Sequence, residues 1–117
     1  MKVVINRCFG GFGLSHEAIV KYAALAGITM IVVDKYPERS IMRYEYYTDS
    51  ISDDNYWSEY DIERTDPNLV KVVEQMGEAA WGDCAELAVV EIPDGINWHI
   101  GEYDGIEHIA ENHRTWG

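Results

Sequence analysis

The chain has 117 residues, 47% of them hydrophobic and 26% charged, with 21 acids against 9 Lys and Arg and a net charge of -12. That length and composition suit one soluble globular domain, spanning residues 1–117, with one modest core. The charge argues against a nucleic-acid polymer or an anionic membrane as partner, since both need a basic field. A small anionic ligand stays compatible with it, because a few short charge-assisted contacts are enough to hold a phosphate.

Lys2 to Phe9 predicts a buried strand, β-branched at Val3, Val4 and Ile5. The apolar run after Met1-Lys2 is short and broken by Asn6 and Arg7, so it does not read as a signal peptide. No apolar run reaches the roughly 20 residues of a membrane span. Cys8 and Cys84 form no CxxC pair and read as small buried apolar residues, free thiols of a reducing cytoplasm.

Arg7 to Ser15 reads RCFGGFGLS, a glycine-rich junction between that strand and a helix. Gly11 and Gly13 match the first two positions of a dinucleotide fingerprint, but His16 stands at the third, and Leu14-Ser15 does not match a P-loop. Two readings stay open. The loop amides lead into a helix N-terminus and could hold an anion. Alternatively, the glycines serve positive φ and close packing alone.

Ser15 predicts an N-cap, Ala18, Ile19, Tyr22, Ala23 and Ala26 one helical face, and Gly27 the C-cap. Ile28 to Val33 predicts a central strand. The stretch 34–64 is acidic and rich in tyrosine; strands are expected at Ile41 to Tyr47 and Tyr56 to Ile62, with a loop at Asp49 to Asn55. Asp66-Pro67 starts a second helix, with Asp at the N-cap and Pro at N1. Its stripe is Leu69, Val72, Val73 and Met76, and Gly77 ends it. Cys84 to Ile92 predicts a strand, with Ile96 to Glu102 as its hairpin partner across the Pro93-Asp94-Gly95 turn. Asp104-Gly105 is a further turn, and the tail from Ile106 fits a short strand better than a helix. The fold class expected is α+β: a mainly antiparallel sheet with two helices packed on it.

The four histidines have no zinc-like spacing with the cysteines, and the abundant acids read as a solvated surface, so no metal ligands, cofactor or catalytic residues are assigned. Two short motifs could carry recognition. Arg64-Thr65 precedes the second helix, and His113-Arg114-Thr115-Trp116 puts a guanidinium, a hydroxyl and an aromatic together. Arginine and threonine hold phosphates, and an aromatic plane stacks on a base. The plainer alternatives are an Arg64 paired with Glu63 or Asp66 and an Arg114 on a frayed terminus.

The combination of MKVVINRCFGGFGLS, ERTDPNLVKVVEQMG and VEIPDGINWHIGEYDGIEHIAENHRTWG resembles a group of small phage-encoded proteins that includes the Thoeris anti-defence type 1 proteins. That resemblance implies a homo-oligomer, dimer-based or hexameric, in the host-cell cytoplasm. It implies capture of glycocyclic ADP-ribose, and of cyclic oligonucleotides at a second site, without cleavage. On this reading the protein is not an enzyme, and Arg64 and Arg114 with Thr115 contact phosphates. Asn97 reads ribose or base, and Trp98 or Trp81 stacks on it. A sponge of this kind acts by mass action. Two alternatives from other classes are a small nucleotide-processing enzyme and an acidic inhibitor that docks on a host protein through residues 44–60.

Overall fold

A computed structural model describes residues 1–40 and 42–112. Among the described residues, the α+β fold holds two α-helices and seven strands, all paired antiparallel. The strands are β1 (Lys2–Asn6), β2 (Met30–Asp34), β3 (Tyr44–Thr48), β4 (Tyr56–Trp57), β5 (Leu87–Glu91), β6 (Trp98–Tyr103) and β7 (Ile106–Glu111); the helices are α1 (His16–Ala26) and α2 (Pro67–Met76). No helix among the described residues is long and apolar enough to cross a membrane.

Both helices follow their caps. The Ser15 hydroxyl accepts the Ala18 amide at 3.2 Å, and Gly27 closes α1 at φ 73°. Ala18, Ile19, Tyr22 and Ala23 face inward. The Asp66 carboxylate accepts the Asn68 amide at 2.8 Å, Pro67 occupies the first turn, and Leu69, Val70, Val72 and Val73 are buried. Tyr22 of α1 donates its hydroxyl to Asp66 at 2.7 Å, which ties one helix to the start of the other. Burial and this carboxylate push the Tyr22 phenol up to about 12.

Strand pairing differs from the sequence expectation in three ways. The strands form three small sheets, ordered β1-β5, β2-β3-β4 and β6-β7, in place of one main sheet. β2 is an edge strand, and the centre of its sheet is the tyrosine-rich β3. β5 pairs with β1, Val4 opposite Val89, and the expected hairpin between β5 and β6 is not formed. The reason lies in the turns. Asp104 and Gly105 both take positive φ, 49° and 87°, the backbone a two-residue hairpin needs, so β6 folds back on β7. The Pro93-Asp94-Gly95 turn only redirects the chain. The tail is a strand through Glu111, as expected.

Shorter revisions concern ends. β1 stops at Asn6, whose side chain turns to bond the chain at Cys8, Glu86 and Gly105. Only Tyr56–Trp57 of the expected 56–62 strand is extended; the Ser58 hydroxyl then caps a 3-10 turn at Glu59–Asp61.

The larger core joins α1, α2, Val4, Phe12, Leu14 and Leu87, with Tyr46, Trp57 and Trp81 packed against it. A smaller cluster, Val3, Ile5 and Ile92, is covered by Trp98, Ile100 and Ile109. Val4 and Val3 alternate to the two faces of β1, so this strand divides the two clusters.

Candidate functional site

A cleft of about 530 Å³ lies at the glycine-rich loop. Four separated segments line it: Gly10 to Glu17, a second that brings Arg39, Arg43, Tyr44 and Tyr46, the pair Glu59 and Tyr60, and Trp81 to Cys84.

The loop comes first. Gly10 and Gly11 take φ of 105° and 101°, which glycine alone adopts easily. Gly105 of the β6–β7 turn packs so closely that an added Cβ would meet the Gly11 nitrogen at 2.4 Å. Several amides of the loop are already engaged: Gly10 donates to the Asp104 carbonyl at 3.3 Å, Leu14 to the Glu59 carboxylate at 2.6 Å and Ser15 to the Ala80 carbonyl at 2.9 Å. The close-packing reading of the glycines therefore holds. The Leu14 amide just before the helix start is already taken by an anion of the chain itself, Glu59.

Burial pushes the Glu59 carboxyl above the ordinary glutamate range, and the Leu14 amide opposes this only in part. The same burial, with the Glu59 charge beside it, raises the Tyr46 and Tyr60 phenols. These tyrosines keep their protons at neutral pH and stay hydrogen-bond donors.

An aromatic wall stands on α1 and β3. His16 begins the helix, and its ring stacks on Tyr44 with centroids 4.0 Å apart and 16° between planes. His16 Nδ1 lies 2.8 Å from the Tyr46 hydroxyl. Tyr44 and Tyr46 share one face of β3 because side chains alternate along a strand, which puts both against the helix start. Tyr60, 70% exposed, opens this wall to solvent.

Two cations complete the site. Arg43 donates two bonds to Asp34, at 2.7 and 2.6 Å, and holds that carboxyl below its ordinary range. The remaining Arg43 donors have no hydrogen-bond partner among the described residues. The Arg39 guanidinium carbon lies 3.9 Å from the Tyr36 ring centre, and Arg39 has no carboxylate partner among the described residues.

No family model, curated protein or solved structure matches the chain.

Of the residues assigned from sequence, Arg64, Asn97 and Trp98 fall elsewhere. Arg64 donates to both carboxylate oxygens of Glu107 in β7, at 2.6 and 2.9 Å, and to the Val4 carbonyl at 3.3 Å. Its guanidinium carbon sits 3.7 Å from the Phe12 ring centre, and its own carbonyl accepts the Val4 amide at 2.9 Å. Arg64 thus closes the free edge of β1 and staples the β6–β7 hairpin to it; its partner is Glu107 and neither Glu63 nor Asp66. Trp98 is half-buried over the smaller cluster. Asn97 is exposed, and its carbonyl accepts the Asn112 amide at 2.7 Å. Arg64, Asn97 and Trp98 line neither this cleft nor the second one beside α2. Trp81 does line the cleft. Arg114 and Thr115 lie outside the described residues.

Sequence reasoning missed Arg39, Arg43, His16 and Glu59 as a group. One signal was present. Arg39 and Arg43 interrupt an otherwise acidic, tyrosine-rich stretch, and Tyr44 and Tyr46 follow with the period of a strand that faces something on one side.

Proposed function

We propose that the protein binds a phosphorylated aromatic small molecule, a nucleotide-like ligand, in the cleft at the glycine-rich loop and releases it unchanged. The observation that supports this best is the convergence of Arg39, a guanidinium with no carboxylate partner among the described residues, with a stacked aromatic wall, His16 and Tyr44, in one open cleft. A phosphate takes charge-assisted bonds of about 1.5–3 kcal/mol each from the arginines. A base stacking on an aromatic adds about 1–3 kcal/mol. Together these reach the micromolar range, near -8 kcal/mol.

Within this class, the resemblance to the Thoeris anti-defence type 1 proteins points to sequestration of a cyclic ADP-ribose-type messenger by a homo-oligomer in the host-cell cytoplasm. The phosphate-contact role assigned to Arg64 passes, in this proposal, to Arg39 and Arg43, because the Arg64 donors are engaged by Glu107 and Val4. Asn97 and Trp98 have no part in the cleft.

Titration calorimetry and native mass spectrometry against AMP, ADP-ribose and cyclic ADP-ribose isomers test the proposal. Binding is expected, weakened tenfold or more by Arg39→Ala with the melting temperature unchanged. Ligand recovered after heating the complex is expected at its original mass. An altered mass means the protein is an enzyme, and no uptake of any of these compounds removes the proposal.

One observation favours a second reading. Ile51, Tyr56 and Tyr60 are exposed among Asp49, Asp53, Asp54 and Asp61, a surface suited to a basic protein partner. Charge reversal at Asp53 and Asp54 separates it from ligand capture, which should not respond.

A further inference from the structure

Three acids line the cleft; Glu17 and Asp83 are exposed, and the half-buried Glu59 is the feature that nucleotide capture leaves unexplained. A phosphate cannot settle against Glu59 without like-charge repulsion. The phosphate end of a ligand therefore belongs with Arg39 and Arg43, and Glu59 faces some other part of it. Oε2 of Glu59 is fixed by the Leu14 amide at 2.6 Å, and the other oxygen has no hydrogen-bond partner among the described residues. That oxygen is not a sealed-in atom, since no side-chain oxygen or nitrogen buried among the described residues lacks a partner, and Glu59 lines the cleft. An ionised carboxylate only accepts hydrogen bonds. Its match on a ligand is an N–H.

Resting on the reading of this cleft as a nucleotide site, we propose that Glu59 is its base-selecting residue: its free oxygen accepts an N–H on the base edge, the exocyclic amine of a 6-aminopurine or the N1–H of a 6-oxopurine, and rejects a purine that offers only acceptors there. The base then stands between the aromatic wall and Glu59 while the phosphates stay with the arginines. Burial favours this selectivity, because an unmatched polar group in a partly desolvated site is penalised more than in water. The pull on Glu59 from the Leu14 amide also fixes which way a glutamine would lie at this position. Its carbonyl must take the Leu14 N–H, and its NH₂ is left facing the ligand.

That orientation makes a swap testable. Three 5′-monophosphates, of adenosine, inosine and unsubstituted purine riboside, are titrated into the wild-type protein and into Glu59→Gln, with the melting temperature of each ligand-free protein recorded. The wild type is expected to bind AMP and IMP, which both carry an N–H at that edge, about tenfold or more tightly than the purine riboside monophosphate, which carries none. Glu59→Gln is expected to weaken AMP and strengthen the purine riboside monophosphate, whose N1 accepts from the new NH₂, which reverses the preference. If Glu59→Gln fails to fold, the wild-type comparison of AMP with the purine riboside monophosphate, which differs only by the amine, decides alone. Equal affinity of the wild type for all three overturns the assignment of Glu59 and leaves nucleotide binding in place. Uptake of none of them overturns both.

Discussion

Two arginine sites in this protein use the same chemistry for opposite ends. At the β1 edge, Arg64 meets Glu107 in a bidentate pair whose side chains are only 20% and 9% exposed. Glu107 also accepts the Asn6 amide at 2.8 Å, so one carboxylate serves a guanidinium and a backbone donor together. At the cleft, Arg43 pairs with Asp34 at 36% and 42% exposure, and Arg39 lies on a tyrosine ring with no acid partner among the described residues. The first site is closed on itself and holds two sheets in register. The second keeps donors facing water, where a ligand can reach them. An arginine beside a helix cap reads the same in sequence in either role; what separates the roles is whether a distant carboxylate occupies its fork.

The contrast breaks most visibly at Glu107. Glu107→Ala leaves a half-buried guanidinium and the Asn6 amide without their acceptor, a loss of about 3 kcal/mol. Urea denaturation is expected to show it as a markedly lower midpoint. Gly105→Ala comes next, at about 2 kcal/mol, because its φ of 87° is unfavourable for alanine and the new Cβ meets the Gly11 backbone. The hairpin resonances of β6 and β7 should shift together in that variant.

Effects at the cleft are smaller on stability and differ in kind. Glu59 has its carboxyl raised above its ordinary value of 4.5 by burial. The folded state therefore binds that proton more tightly than the unfolded state does. The contribution to stability is complete below pH 4.5 and is lost as pH climbs through the raised value. Glu59→Gln abolishes this loss, so urea midpoints of wild type and variant, measured from pH 4 to 8, should draw apart in favour of the variant as pH rises. Arg43→Ala removes an exposed pair and is expected to change stability by no more than about 0.5 kcal/mol. A large drop there would mean that the cleft arginines are structural after all.

The sequence carried the local signals well. Ser15, Gly27 and Asp66-Pro67 mark helix ends through bonds made within a few residues, and the buried stripes of both helices follow from spacing alone. Strand partners were harder. β5 could satisfy either neighbour as an apolar, β-branched run, and the choice was made by the Asp104-Gly105 turn, which pairs β6 with β7 and leaves β1 to β5. The site was least legible. Arg64 and Glu107 stand 43 positions apart, Leu14 and Glu59 45, and no local pattern announces either bond. The glycine-rich stretch does line the cleft, though its glycines serve close packing and its Leu14 amide is taken by the protein's own Glu59.

Amide chemical-shift mapping of the nitrogen-15-labelled protein during AMP titration tests most directly where a ligand sits. Shifts confined to Gly11, Gly13, His16, Arg39 and Tyr44, with Val4, Asn97 and Glu107 unmoved, are expected of a cleft that binds and a β1 edge that only holds the fold. Shifts centred on Asn97, Trp98 and Glu107, with the glycine-rich loop silent, would contradict the division of labour between the two arginine sites.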